Sequence, residues 1–310
     1  MTFREAGSLV WRTVDEFMHD ECGRSAAAIS YYALFSLPAL AVVAALSLRR
    51  LLGPSATQDL ITEAVAGWTS PAVAETVGRL VGGAEVPRIE DPLAYFLGLA
   101  GVVFGATGSF LQVQRALNRA WYVRPGAGGV RAFFWKRAVS FPVLLLLFAL
   151  LIVGFGASAY LLSFGRARLE TLWGPLGTWL PVALDLGVSV SLLWLIVAVV
   201  FWLLPDAEIA WRDVLLGSFV TAWLVWLGKI LVAAWVSGPG PAQAFGPAAS
   251  LALVLLWIYF TSMFLLLGAE FTQVWARRAG RPIRPSPGAE ISPGGRERLE
   301  RLEPRPGAEG

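Results

Sequence analysis

Three charged residues lie inside long apolar stretches of the sequence, namely Asp185, Lys229 and Glu270. A charge in hydrocarbon is costly and usually marks an ion path or a specific contact. Asp185 and Lys229 are expected at similar depth, roughly 10 Å below one membrane surface, so their side chains can pair. Three interpretations remain open for them: they line a water-filled cavity used by an ion or polar solute, they form a buried pair that fixes helix register, or each snorkels to the interface.

Glu270 lies near the opposite membrane surface, late in the last apolar stretch of the chain. The basic residues within its reach are Arg24, Arg212 and Arg277. A structural salt bridge to one of them is the favoured interpretation of Glu270, and a place on a transport path is the alternative.

Pro38 falls in the middle of the first apolar stretch, where it removes a backbone hydrogen bond and predicts a kink. Polar side chains beside a kink can line a solute path, although proline is also simply more common in transmembrane helices. The candidate transport path comprises the residues at the kink together with the intramembrane charges: Tyr31, Tyr32, Ser36, Pro38, Asp185, Lys229 and Glu270.

The apolar stretches that hold these residues are long enough to cross a membrane. The chain has 310 residues, of which 56% are hydrophobic and only 15% charged, whereas about a quarter of a soluble domain is charged. Roughly 20 helical residues span the hydrocarbon core, in which the backbone must satisfy its own hydrogen bonds. The predicted fold class is therefore all-α, a polytopic membrane protein with six transmembrane helices over Ala26–Leu48, Leu93–Val113, Val139–Ser163, Trp179–Leu204, Val214–Val236 and Ala248–Trp275.

Basic residues predict the orientation of these spans. With six helices, the loops on the side of the termini carry 18 Lys and Arg residues and the other side carries 6. The richer side is expected to face the cytoplasm. Both termini are therefore predicted to be cytoplasmic, in a multi-pass protein of the plasma membrane.

Three segments lie outside the spans, and a different structure is predicted for each of them. Residues 1–25 are predicted to form an amphipathic helix that either lies in the headgroup plane or packs on the cytoplasmic face of the bundle. Residues 49–92 predict a short helical extracytoplasmic loop within the transmembrane domain, 26–275. Residues 276–310 are predicted to be a disordered cytoplasmic tail, because they are rich in proline, arginine and glutamate and poor in apolar residues.

The second predicted span carries glycines on one helix face. A GxxxG unit lets a neighbouring helix approach closely, so tight helix packing is the favoured interpretation. A sliding or gating surface is the alternative. The residues concerned are Gly98, Gly101, Gly105 and Gly108.

Several function classes are disfavoured by what the sequence contains. Cys22 and His19 are the single cysteine and the single histidine, so an intrachain disulfide is excluded and a zinc site of these ligands is not expected. Phosphate-binding, hydrolase and metalloprotease motifs are absent from the sequence. We expect no cofactor, no metal and no catalytic residue. The basic loops follow the positive-inside rule, so no nucleic-acid partner is expected.

Several short motifs recur in a recognisable combination, namely Ser25–Pro38, Leu204-Pro-Asp206 with Trp211-Arg212 and Gly217, Leu256–Tyr259 with Leu267–Glu270, and, more weakly, Asn118–Tyr122. Together they resemble the YihY/BrkB family of bacterial inner-membrane proteins, over about residues 5–280. The resemblance implies a six-helix fold in the inner membrane and a link to envelope lipid or lipopolysaccharide transport. The family once carried a ribonuclease label, for which this sequence offers no chemistry. Phe245 departs from the family, which tends to have tyrosine there.

The leading hypothesis is a transporter or flippase-like protein that moves an amphiphilic or ionic solute, such as an envelope lipid, across the inner membrane. The alternative is a non-transporting envelope scaffold, and a membrane-embedded enzyme is the least favoured. Membrane lipids are the expected partners, with a lipid or small solute as substrate, and a homo-oligomer is compatible with the sequence.

Overall fold

Helices make up most of the chain that the computed structural model describes, which comprises residues 3–36, 108–126, 175–236 and 249–302. Predictions about the loop 49–92, the third span, Pro38 and Phe245 lie outside these residues. The described helices are α1 (Phe3–His19), α2 (22–36), α3 (108–120), α4 (Pro175–Leu203), α5 (Trp211–Val236), α6 (Ala249–Arg278) and α7 (Pro293–Leu302). Four short strands join them: β1 (Val123–Pro125), β2 (Ala207–Glu208), β3 (Arg284–Pro285) and β4 (Ala289–Ile291).

Three of these helices, α4, α5 and α6, are long and apolar enough to cross a membrane, judged by length and composition within the described residues. Their bounds agree with the last three predicted spans to within a few residues. A run of about 20 apolar residues therefore locates each helix well, because hydrocarbon forces the backbone to bond internally. The total of six spans stays a prediction.

The helices α5 and α6 cross through two matched Gly-x-x-x-Thr units. Gly217 and Thr221 lie on α5, and Gly268 and Thr272 lie on α6. A Cβ atom at Gly217 would collide with Thr272 Oγ1, and one at Gly268 would collide with Thr221 Oγ1. Each threonine hydroxyl donates to the glycine carbonyl one turn earlier in its own helix, at 2.9 Å in α5 and 2.7 Å in α6. This pairing brings the two backbones close together, as small residues do in membrane helices.

The glycine face predicted for the second span is described at one of its four positions. Gly108 lies at the start of α3, and a Cβ atom there would be 3.5 Å from Tyr32 Cδ1 of α2. The position therefore faces a neighbouring helix at ordinary van der Waals distance. Gly98, Gly101 and Gly105 lie outside the described residues.

The helix α1 packs against α6 with one face and leaves an apolar stripe exposed. Leu9, Thr13 and Phe17 are buried. Trp11 is 73% exposed and Met18 is 71% exposed. The apolar residues of this helix thus divide between two faces, so the helix combines a contact with the bundle and a stripe suited to a membrane surface. Val10 and Val14 belong to the exposed stripe.

The segment after α6 is folded, which corrects the prediction of disorder for residues up to 302. Strand β3 pairs antiparallel with β2, and β4 pairs antiparallel with β1. Ser292 then caps α7, since its Oγ accepts a hydrogen bond from the Gly295 N–H at 3.1 Å. Local composition predicted disorder because it carries no information about strands elsewhere in the chain that this segment can pair with. Residues 303–310 lie outside the described residues.

Candidate functional site

Two of the sequence motifs are joined by a pair of hydrogen bonds between Asn118 and Asp206. The Asn118 Nδ2 donates to Asp206 Oδ2 at 2.8 Å, and the backbone N–H of Asp206 donates to Asn118 Oδ1 at 2.8 Å. Asn118 is 4% exposed. The amide therefore satisfies a carboxylate and a backbone donor at once, and it fixes the end of α3 to the end of α4.

Trp121 ties the same segment to α6. Its indole N–H donates to the carbonyl of Ala269 at 3.0 Å. Its ring contacts Phe201 of α4 edge-on, with centroids 5.6 Å apart. Because Trp121 is buried, this bond satisfies a donor that has no access to water. The residue after Ala269 is Glu270, which this contact brings close to the end of α3.

Glu270 lies in a buried cluster of carboxyl groups rather than in a salt bridge. Its side chain is 0% exposed, and Cys22 Sγ donates to its Oε1 at 3.4 Å. The expected arginine partners point elsewhere: Arg24 pairs with Glu21 at 2.7 Å, and Arg277 lies over the Tyr122 ring, 5.2 Å from its centroid. Hydropathy predicted the depth of Glu270 but not the direction in which it faces.

The other carboxyl groups of the cluster come from the end of α1, which sequence analysis did not single out. Glu16 is 4% exposed and Asp20 is 9% exposed. Burial, together with the neighbouring Glu16 carboxylate, raises the pKa of Asp20 to about 7. The spacing of four between these two acidic residues places them on one helical face and was the signal available in the sequence.

Tyr122 closes the cluster from the end of α3. Its hydroxyl donates to Glu16 Oε2 at 2.7 Å, and its carbonyl accepts from the Ser292 N–H at 2.8 Å. Its backbone lies in the left-handed region, with φ at 56°, which is unusual for an aromatic residue. Burial and the bond to Glu16 raise the pKa of the Tyr122 hydroxyl, so this group stays a donor.

Arg298 of α7 brings positive charge to the outer side of the cluster. Its guanidinium lies 3.2 Å from Asp15 Oδ2 and 3.5 Å from Glu16 Oε2. The folded tail thus contributes a cation to a site that otherwise consists of acids. This contact joins α7 to α1 across the end of the bundle.

A cavity of about 990 Å³ lies beside this cluster, between the end of α1, α3 and the tail. Its wall includes three arginines, Arg115, Arg119 and Arg124, and the acidic residue Asp20. Apolar contact comes from Leu111, among others. The volume lies in the range of small-molecule sites. Further lining residues are His19, Glu21, Gln114, Asn118, Tyr122, Asp206, Gly288, Ser292 and Gly295.

The other predicted path residues whose side chains the structure describes do not join this site. Tyr31 and Tyr32 are 58% and 45% exposed, and Ser36 is buried and accepts a hydrogen bond from Ser109 at 3.1 Å. Lys229 lines a separate cavity of about 30 Å³, which is room for about one water molecule. Asp185 lies on α4, but its side chain is outside the described residues.

The carboxyl cluster does not have the arrangement of a metal site. Within the described residues, no group of three His, Cys, Asp or Glu side chains is arranged to hold a metal ion. The Oε2 atom of Glu16 already accepts from Tyr122 and lies near Arg298. What the arrangement can do is bind protons and contact a charged solute.

The cysteine of the cluster leads to a first prediction. We expect Cys22 in the folded protein to resist a water-soluble thiol reagent, because the side chain is 2% exposed. Burial and the adjacent Glu270 carboxyl also raise the pKa of the thiol, which leaves little thiolate to react at neutral pH. The measurement is the rate of labelling in detergent with and without denaturant. Ser8→Cys, at an exposed polar position of α1, is the control that should label at once. Rapid labelling of Cys22 in the folded protein would contradict the buried site.

The described part of the chain has long apolar helices, and a charged cavity lies at one end of them. These features define the chain as a helical membrane protein. The chain belongs to the BrkB family, since the family described as virulence factor BrkB matches residues 13–290. This confirms the resemblance found in the sequence motifs.

Similar proteins carry the same description of a membrane protein. A UPF0761 membrane protein of Pseudomonas paraeruginosa is 28% identical over 281 residues, which cover 85% of this chain and 63% of the relative. One of Mannheimia succiniciproducens is 26% identical over 263 residues, which cover 83% of this chain and 86% of the relative. This chain therefore spans less than two thirds of the Pseudomonas relative. No solved structure gives a significant match.

Proposed function

We propose that the chain is a transporter or flippase-like protein that moves an amphiphilic solute, with a phospholipid as the favoured cargo, across the bacterial inner membrane. The observation that carries the proposal is the cavity of about 990 Å³ beside the ends of the membrane helices. A cavity at that level can receive the polar head of a lipid while the acyl chains stay among apolar helices.

The charges of the cavity wall match a phosphate-bearing head group. Arg115, Arg119 and Arg124 line the cavity, and guanidinium groups bind phosphate through paired, charge-assisted hydrogen bonds. Asp20 and Glu21 line it as well, which suits an amino group on the same head. A zwitterionic or acidic phospholipid satisfies this combination better than a simple ion does.

The orientation of the site follows from the basic residues of the chain. The positive-inside rule predicts a cytoplasmic position for the segment that carries these arginines, together with both termini. The cavity then opens toward the inner leaflet. The 30 Å³ space at Lys229 is too small for a head group, so a transport cycle requires α4 and α5 to separate there.

The test is lipid flipping in vesicles that contain the purified full-length chain. The probe is a fluorescently labelled phosphatidylglycerol in vesicles of phosphatidylethanolamine and phosphatidylglycerol, with a membrane-impermeant reagent to quench the outer leaflet. We expect flipping above protein-free vesicles, and we expect Arg115→Gln with Arg119→Gln to slow it by at least about tenfold, since the loss of even one charge-assisted bond is worth about 1.5 kcal/mol.

Arg4→Gln removes a charge from the exposed start of α1, outside the cavity wall, and should leave the rate unchanged. No flipping by the wild-type chain would reject phospholipid as the cargo. Equal rates in the wild type and the double variant would reject this cavity as the head-group site. Since the vesicles contain no other protein, a scaffold that acts only through partners predicts no flipping at all.

A further inference from the structure

Two buried carboxyl oxygens in the cluster lack a hydrogen-bond donor among the described residues. They are Asp20 Oδ2 and Glu270 Oε2. The two carboxyl groups lie within hydrogen-bonding reach of each other. An ionised carboxylate out of water and without a donor is unfavourable by several kcal/mol. Two such groups in contact cannot both be ionised at little cost.

The donors and charges that face this pair do not remove the conflict. Cys22 of α2 supplies a thiol, which is a weak donor, to the other oxygen of Glu270. Glu16 of α1 adds negative charge. Arg119 of α3 is exposed, and Arg298 of α7 is engaged with Asp15 and Glu16. None of these groups donates a hydrogen bond to either of the two orphaned oxygens, so a proton between them is still required.

We propose that Asp20 and Glu270 hold one proton between them and form a proton-binding site beside the cavity. With one shared proton, the protonated oxygen donates a hydrogen bond and the ionised oxygen accepts it, which satisfies both orphaned atoms. Asp20 also lines the cavity, whereas Glu270 does not. Asp20 is therefore the group through which the proton exchanges with cavity water. That this proton drives transport rests on the proposed function.

The protonation of Asp20 has a stability consequence of definite sign. The pKa of Asp20 in the folded chain is about 7, above its ordinary value of 3.8. Between these values the folded state holds the proton and the unfolded state has lost it. Stability is therefore greatest below the lower value and is lost as the pH rises through about 7.

The experiment is infrared difference spectroscopy of the full-length chain in detergent as the pH is raised. At about pH 6, where ordinary carboxyl groups are ionised, we expect the carbonyl band of a protonated carboxyl group. Because the proton is shared, Asp20→Asn and Glu270→Gln, which keep the side-chain shape, should each change the pH at which the proton is lost and shift the position of this band. Glu21→Gln changes an exposed neighbour and should keep it.

The outcomes separate this proposal from the proposed function. If the wild-type chain shows no band, the shared proton is overturned. This result does not depend on whether any variant folds. A band with the same position and pH dependence in Asp20→Asn as in the wild type shows that Glu270 is protonated alone and overturns the sharing. Flipping is then measured with and without a pH gradient, and we expect the gradient to accelerate it in the wild type but not in Asp20→Asn. A band without any flipping supports the proton site and refutes transport, and flipping that ignores the gradient overturns the coupling.

Discussion

Alanine at Gly268 is expected to unfold the protein at a markedly lower temperature. The added Cβ atom would collide with Thr221 Oγ1, and this hydroxyl is held in place by its bond to the Gly217 carbonyl at 2.9 Å. The helices α5 and α6 must therefore move apart, and overpacking of this kind destabilises by about 1–3 kcal/mol. Thermal unfolding of the purified chain in detergent, followed by circular dichroism, measures the change.

A matched control exists on α4. A Cβ atom at Gly187 meets nothing within 4 Å, so Gly187→Ala should leave the melting temperature unchanged or raise it slightly, because alanine favours helix by about 1 kcal/mol. Thr221→Ala removes the colliding hydroxyl and should recover part of the loss when combined with Gly268→Ala, because the Cβ atom at residue 221 stays 2.9 Å from the added Cβ. Equal melting temperatures for Gly268→Ala and the wild type would contradict the close crossing.

Aspartate at Asn118 is expected to be the most damaging single-atom change at the site. It replaces the Nδ2 donor, which is 2.8 Å from Asp206 Oδ2, with an oxygen that repels that carboxylate. Loss of the bond together with a buried, unpaired charge should lower the free energy of unfolding by about 3 kcal/mol, the lower end of the range for broken buried charge contacts. The midpoint of denaturant unfolding in detergent is the measurement.

Gln114→Glu makes the same chemical change one helical turn earlier, where the side chain is half-buried on the cavity wall. This control should shift the midpoint far less. Stability of Asn118→Asp should improve as the pH falls, because protonation of either carboxyl group restores a donor. A variant as stable as the wild type at neutral pH would show that the contact between α3 and α4 contributes little.

The sequence predicted the long helices well and the contacts between them poorly. Hydropathy locates α4, α5 and α6 because a membrane imposes one requirement, an internally bonded apolar run, that each segment meets alone. The Gly217 and Gly268 crossing was missed, since each glycine is unremarkable until the partner helix is known. Glu270 lies late in α6, but position along a helix does not report the direction in which the side chain faces. Its partners, Asp20 and Cys22, lie outside every span, where hydropathy carries no signal.

The tail is a second case in which the local sequence did not predict contacts with distant segments. Its composition argued for disorder, yet its strands pair with β1 and β2, which are distant in sequence. The cavity wall also includes Gly288, Ser292 and Gly295 of the tail. Deleting the tail would therefore damage the cavity itself, so a tail deletion cannot distinguish a scaffold from a transporter. Substitutions within the cavity wall can.

The contact between Arg298 and Asp15 joins residues 283 positions apart. During synthesis, α1 leaves the ribosome long before its partner in the tail exists, and the membrane helices between them must be inserted first. The acidic cluster at the end of α1 therefore stays without this arginine until translation has passed residue 298. A nascent chain is consequently assembled in a fixed order, in which the cavity is completed only after the spans are in the bilayer.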